Sequence, residues 1–319
     1  MKLLIVKTSS MGDVVHALPA LSDLLQQRPG TQVDWLVESP FAAIPKMHHG
    51  VRRVLPMAWR KWRQQLFDRK TWQAMGQLRS DLRAGGYDAV LDLQGLLKSA
   101  LWARQAGAPV LGYDRDSIRE PAAAWLYQFR AAVPRDLHAV TRCRRLVAAH
   151  LGYTVPDRAP DFGLQPPSGG WAPRGPYAVI IPNASRKEKL WPERRWVAVG
   201  QRLRDKGWLP VVLWGSDAEQ TLAERIAASC EGDVPPWLKV GEAAALLAGA
   251  QQVVGLDTGF THIAAALGRP TVGIYCDHEP GLAGITGPGP VASIGGKGQV
   301  PGQQEVMALL EQQLQAARV

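Results

Sequence analysis

Cysteine is scarce in this chain. Only Cys143, Cys230 and Cys276 occur in 319 residues, far apart and without a Cys-x-x-Cys pair. That excludes a disulfide framework and a cysteine-based zinc site, and it points to a reducing, cytoplasmic compartment. Long apolar runs are missing too. The opening Met1–Lys7 superficially resembles a signal peptide, yet its apolar run is only Leu3–Val6, against the ~7–15 residues of a signal core. No stretch approaches the ~18 apolar residues of a spanning helix. Acidic residues are the third shortage: 28 against 37 Lys and Arg, a net charge of +9. An excess of that sign favours a polyanionic partner, whether nucleic acid, an anionic membrane surface or a phosphorylated substrate.

With 46% hydrophobic and 20% charged residues the chain is not disordered. At ~150 residues per domain its length predicts two domains. In the first half, Leu3–Val6, Val33–Val37, Val90–Leu93 and Val110–Leu111 read as buried strands, with helical patterns at 14–27, 71–84 and 138–151. In the second half the strands are Ala178–Ile181, Leu209–Trp214, Val253–Leu256 and Thr271–Tyr275, with helices near 193–205, 217–229, 242–249 and 261–267. This alternation predicts an α/β fold of two Rossmann-like domains, with a ligand cleft between them at the carboxyl ends of the strands. Six prolines and four glycines crowd Val155–Pro176, where missing donors and costly ordering disfavour regular structure. The expected layout is a domain over 1–160, a Pro/Gly-rich linker over 161–176 and a domain over 177–319. The last helix, about 301–318, can pack on either.

Several strand-to-helix junctions carry polar residues with two readings each. Lys7-Thr8-Ser9-Ser10-Met11-Gly12-Asp13 has a single glycine, so it is neither a dinucleotide fingerprint nor a P-loop. Asp13 is then either a first-turn carboxylate favoured by the helix dipole, or a base facing a substrate hydroxyl. Asp257-Thr258-Gly259 ends a strand and opens an alanine-rich helix, whose free amides suit a diphosphate. Asp257 either caps that helix or accepts from sugar hydroxyls, and His262 is either a buried helix histidine or a ligand contact. Lys189 lies in the loop before Pro192-Glu193, solvated or set to offset phosphate charge; Glu219 either starts a helix or binds ribose hydroxyls.

The segment Arg52–Lys70 holds seven cations against one acid, Asp68, with Trp59, Trp62 and Leu66 at helical spacing. It reads as a solvated helix with its tryptophans in the core, as a surface for anionic lipid, or as a single-strand nucleic-acid binder. Arg119 is a further anion contact. Asp114-Arg115-Asp116 matches the bare spacing that some sugar transferases use for a metal, but Arg115 and Arg119 offer it internal partners, so it reads as a charged loop.

Taken together, KTSSMGDVVHALPAL from Lys7, Lys189-Leu190-Trp191-Pro192, and Asp257-Thr258-Gly259 followed by His262 and Ala264-Ala265-Ala266 resemble the lipopolysaccharide heptosyltransferases. The likeness spans nearly the whole chain. It favours the branch that adds the first heptose, because Ser9-Ser10-Met11 stand where the second-heptose branch usually carries a tryptophan segment. The resemblance implies a GT-B architecture, with the acceptor on the N-terminal domain and the nucleotide-sugar on the C-terminal one. It implies inverting, metal-independent transfer of L-glycero-D-manno-heptose from ADP-heptose to Kdo of Kdo2-lipid A, on the cytoplasmic face of the inner membrane. Asp13 becomes the general base. Lys189, Thr258 and Gly259 stabilise departing ADP, Asp257 and His262 hold the donor, and Glu219 meets the ribose. Ser10, Gly12, Arg60, Lys61, Arg63 and Arg119 serve the anionic acceptor. Neither a cofactor nor nucleic acid nor an obligate protein partner is implied.

After Tyr275 the family commonly reads Gly-Pro-Thr, whereas here Cys276-Asp277-His278 stand, which leaves the donor's sugar open. Transfer or epimerisation of another nucleotide-sugar on the same fold is the nearest alternative, and a basic nucleic-acid module is a more distant one.

Overall fold

A computed structural model describes residues 1–317. The chain divides into two compact units, Met1–Arg158 and Ala159 onward. The first unit runs β1 (Lys2–Val6), α1 (Met11–Gln27), β2 (Gln32–Glu38), α2 (Ala43–Lys46), β3 (Val51–Met57), α3 (Trp59–Trp62), α4 (Arg69–Ala84), β4 (Ala89–Asp92), α5 (Leu97–Arg104), β5 (Val110–Tyr113), β6 (Phe129–Ala131) and α6 (Ala139–Leu151). Its strands form one parallel sheet in the order β3-β2-β1-β4-β5-β6. β1 is central, and Leu3, Leu4, Ile5 and Val6 are wholly buried because helices cover both faces. The strand order reverses between β1 and β4, so the loops leaving those strands diverge and open a crevice.

The second unit runs β7 (Tyr177–Ile181), α7 (Glu193–Asp205), β8 (Leu209–Val212), α8 (Asp217–Ser229), α9 (Val240–Gly249), β9 (Gln252–Leu256), α10 (Gly259–Ala266), β10 (Thr271–Tyr275), α11 (Pro280–Ala283), β11 (Val291–Gly295) and α12 (Gln303–Ala316). Its parallel sheet has the order β11-β10-β9-β7-β8, reversing between β7 and β9. Trp196, Val199 and Leu203 of α7, Ile226 of α8, and Val306 and Leu310 of α12 bury against the strands. The last helix therefore packs on its own unit's sheet, and Gln252 Nε2 donates to the Leu310 carbonyl at 2.7 Å. The proline- and glycine-rich stretch spans the boundary and from Ala159 belongs to this unit, with Phe162 fully buried.

The expectation of one helix across Arg52–Lys70 is corrected. Arg52 and Arg53 belong to β3, where both reach the buried carboxylate of Asp34, Arg52 at 2.6 Å and Arg53 at 3.3 Å. The chain then makes the single turn of α3, and Asp68 caps the separate helix α4 by accepting the Lys70 amide. The strand was masked by its edge position, where every second residue meets solvent and charge is tolerated. No helix among the described residues is long and apolar enough to cross a membrane.

Candidate active site

Both strand-order reversals carry the polar residues singled out from the sequence. In the first unit, Asp92 ends β4 in complete burial. It accepts hydrogen bonds from the Gln94 and Gly95 amides, from Ser99 Oγ at 2.8 Å and from Tyr127 OH at 2.7 Å. Burial pushes its carboxyl pKa up despite these donors. Asp92 thus fixes the β4–α5 loop, and Gln94 in that loop fixes its neighbour: its Oε1 accepts the Thr8 and Ser9 amides at 2.8 and 3.0 Å. The β1–α1 loop is held from outside, which leaves its next residues free for chemistry.

Ser10 then caps α1, and Asp13 sits in the first turn. Asp13 Oδ2 accepts from the Ser10 amide at 2.7 Å and from Ser10 Oγ at 2.8 Å. Oδ1 has no hydrogen-bond partner among the described residues. Asp13 lines a pocket of about 140 Å³ with Lys7, Gln94, Tyr113, Arg119 and Arg142. Lys7 Nζ donates to the Leu93 carbonyl, and Arg142 donates to the Ser117 carbonyl at 2.6 Å while stacking over Tyr113. A carboxylate with one open oxygen beside three cations can take a proton from a hydroxyl on an anionic ligand.

In the second unit, Asp257 follows β9 and α10 begins two residues later. Lys189 Nζ, from the β7–α7 loop, lies 2.5 Å from Asp257 Oδ2, and His262 Nε2 lies 3.4 Å from Oδ1. Burial alone would raise the Asp257 pKa; the hydrogen bonds from His262 and Lys189, with the Lys189 charge, outweigh it and hold the carboxyl at about 2. Thr258 is the N-cap of α10, so its amide and those of the first turn have no intrahelical acceptors. Gly255 lets the helix approach the sheet closely, since a Cβ there would stand 2.5 Å from Thr261 Oγ1 and 2.8 Å from Ile181 Cβ. The arrangement is suited to an anion: a lysine and free amides stand beside a carboxylate that is ionised near neutral pH.

The structure brings Asp13, Ser10 and Arg119 to one site and Lys189, Asp257, Thr258, Gly259 and His262 to another. Gly12 lies in the first turn of α1, and Glu219 stands in the first turn of α8, where its Oε2 accepts the Gly215 amide at 2.8 Å. Arg60, Lys61 and Arg63 are exposed on and after α3, outside the Asp13 pocket; Arg60 lies over the Phe41 ring. Asp114 accepts the Ser117 amide within its own turn. The unusual loop after β10 is tied to the Lys189 loop through Asp277 and Arg186, 2.8 Å apart. Sequence reasoning missed Gln94 and Arg142. Gln94 was reachable, because it follows the strand paired with β1, but Arg142 is one arginine among several on α6 and carries no pattern.

The chain matches the model of glycosyltransferase family 9 (heptosyltransferase) over residues 75–304. It is similar to lipopolysaccharide heptosyltransferase 1 of Pseudomonas aeruginosa, with 42% identity over 90% of this chain and 82% of that protein. Its fold is similar to that of the Escherichia coli heptosyltransferase WaaC solved with ADP, with a TM-score of 0.90 and 37% identity over 98% of this chain and 100% of that one. The same enzyme solved with ADP-2-deoxy-2-fluoro heptose gives a TM-score of 0.87 at 37% identity over 98% of both chains.

Proposed function

The chain belongs to glycosyltransferase family 9, the heptosyltransferases, and from that premise we propose that it transfers L-glycero-D-manno-heptose from ADP-heptose to a Kdo residue of Kdo2-lipid A, inverting the anomeric carbon. The observation that carries this reading is the Lys189–Asp257 pair at the start of α10. An ammonium has three protons; Asp257 takes one, and two remain for phosphate oxygens beside the amides of Thr258 and Gly259. That set of donors suits a departing diphosphate and supplies its counter-charge from the chain itself. The proposal accordingly includes no metal ion and no other cofactor. Asp257, ionised near neutral pH because its carboxyl is held at about 2, has no proton to give the leaving group. Its work is to orient Lys189 and, with His262, to hold the donor, while Glu219 meets the ribose. The relatives solved with ADP and with a fluorinated ADP-heptose support this donor class.

On the acceptor side, Asp13 removes the Kdo hydroxyl proton as the oxygen attacks the anomeric carbon. The bond to the diphosphate breaks with its electron pair leaving on ADP. Inversion requires base and leaving-group donors on opposite faces of the sugar. Ser10 and Gly12 shape the Asp13 loop, and Arg60, Lys61, Arg63 and Arg119 answer the acceptor's carboxylates and phosphates. An acceptor of that kind makes the protein a peripheral one on the cytoplasmic face of the inner membrane, building the inner core, with neither nucleic acid nor an obligate protein partner. Mass spectrometry of Kdo2-lipid A after incubation with ADP-heptose tests this. A gain of one heptose that survives EDTA is expected; an unchanged acceptor beside intact ADP-heptose overturns it.

A further inference from the structure

The first unit carries a second cavity, of about 380 Å³, walled by Trp59 of α3, by Trp72 to Arg79 of α4 and by Lys98 to Gln105 along and just past α5. Its volume exceeds the ~300 Å³ at which small-molecule sites begin. Trp59, Trp72, Met75, Leu101 and Trp102 make the lining apolar, and Trp72 and Leu101 stay 58% and 48% exposed. The Trp72 indole N–H is already spent on the Leu66 carbonyl at 2.7 Å, so the ring offers a hydrocarbon face. The charges lining the cavity are Lys98 and Arg79, with no acid among them. An apolar slot whose lining charges are two cations, Arg79 and a Lys98 that also stands 4.0 Å from the buried Glu38 carboxylate, is complementary to an amphiphile with an anionic head.

Gly76 is the second observation. It lies mid-helix in α4, where glycine costs about 1 kcal/mol relative to alanine, and its backbone is ordinarily helical. A Cβ built there meets nothing within 4 Å. Neither a turn nor close packing calls for glycine at this position; its missing side chain leaves the cavity open. Lys98 is the third. From the cavity wall its Nζ donates to Ser9 Oγ at 3.4 Å, directly before the Ser10 that holds Asp13. The apolar slot is therefore one side chain away from the loop carrying the base.

We propose that this cavity seats an acyl chain of the phosphorylated glycolipid acceptor while the acceptor's sugar is presented to Asp13. The inference rests on the transferase reading above, and it commits to the acceptor's own chain because Lys98 joins the slot to the Asp13 loop. Gly76→Leu tests it by filling the slot from a helix position that tolerates leucine. Initial rates are measured with acylated Kdo2-lipid A and with the same saccharide fully deacylated, for wild type and variant.

The variant should melt at or above the wild-type temperature, and its KM for the acylated acceptor should rise about tenfold, the contact of roughly two methylenes. With the deacylated saccharide both proteins should agree within about twofold. An unchanged KM for the acylated acceptor, or an equal rise for both acceptors, overturns the proposal. Turnover of the deacylated saccharide by wild type tests the transferase reading without the chain. Binding is read separately, as quenching of tryptophan fluorescence by an alkyl phosphate brominated along its chain. Quenching in wild type that is lost in Gly76→Leu supports the slot, and equal quenching in both, or displacement of the probe by phosphatidylglycerol vesicles but not by the acylated acceptor, overturns it.

Discussion

Replacing Asp13 by asparagine separates the cap that this side chain makes on α1 from the base role proposed for it. Asp13 Oδ2 accepts the Ser10 amide and hydroxyl at 2.7 and 2.8 Å, closing the first turn of α1. Asparagine retains one oxygen able to accept both, so Asp13→Asn keeps the cap. At the position of Oδ1, however, it presents an amide that donates hydrogen bonds and takes no proton at neutral pH. Losing a general base costs about 10²–10⁴ in rate, or roughly 3–5 kcal/mol of transition-state stabilisation. Asp13→Ala loses the cap as well, about 1 kcal/mol of stability. The assay is ADP release with saturating acceptor, run beside urea denaturation. The expected pattern is two crippled enzymes of which only the alanine variant is destabilised. ADP affinity should be unchanged in both, because Lys189 and Asp257 contact none of the altered atoms. A kcat for Asp13→Asn within threefold of wild type would refute the base assignment, whatever the alanine variant does.

Two further outcomes follow from the second unit. Asp257 is held at about 2 against 3.8 for an ordinary aspartate, so its ionisation adds about 2 kcal/mol to stability at neutral pH. That contribution is complete above 3.8 and is lost as pH falls through about 2. The gap in urea stability between wild type and Asp257→Asn should therefore roughly halve by about pH 3, and a gap constant from pH 7 to 3 contradicts the pairing. Gly255→Ala should cost about 1–3 kcal/mol through overpacking, since its methyl would meet Thr261 Oγ1 at 2.5 Å. Its KM for ADP-heptose should rise as α10 is pushed from the sheet; a variant as stable as wild type would show that the helix yields freely.

The central strands were legible because parallel strands buried on both faces read as unbroken apolar runs, and the longer helices of the second unit were legible from their periodicity, the single turn of α11 excepted. α7 and α8 have the bounds that periodicity predicts, Glu193–Asp205 and Asp217–Ser229. β3, β6 and β11 were not legible. They lie at or near sheet edges, and their partly exposed residues, including Arg52, Arg53 and Arg130, break the apolar signal. Asp13, Lys189 and Asp257 stood out because each follows a strand and precedes a helix, a place where topology and not local propensity puts function. What no sequence pattern shows is which distant side chain completes a site. Lys189 and Asp257 are 68 residues apart and meet only because β7 and β9 are neighbours in the sheet.

Three aspartates end up beside the carboxyl ends of central strands, and their surroundings, more than their sequence positions, divide the labour among them. Asp92 is wholly buried and engaged by two amides and two hydroxyls, so it has no oxygen for a substrate and serves to shape the loop that Gln94 extends to Thr8 and Ser9. Asp257 is paired with Lys189 and His262 and held at about 2, so it remains an anion that orients cations and is a poor proton acceptor. Asp13 is half-buried, bonded through one oxygen only and set among Lys7, Arg119 and Arg142. A base must be accessible, must keep a lone pair unengaged and must sit where its substrate's charge is welcome. Of the three, Asp13 alone meets all these conditions, and it would do so even if its sequence motif were unfamiliar. The same logic makes Arg142, which no motif announced, better placed than Lys61 to contact the carboxylate of the proposed acceptor: Arg142 shares the pocket of Asp13, whereas Lys61 is exposed outside that pocket's lining.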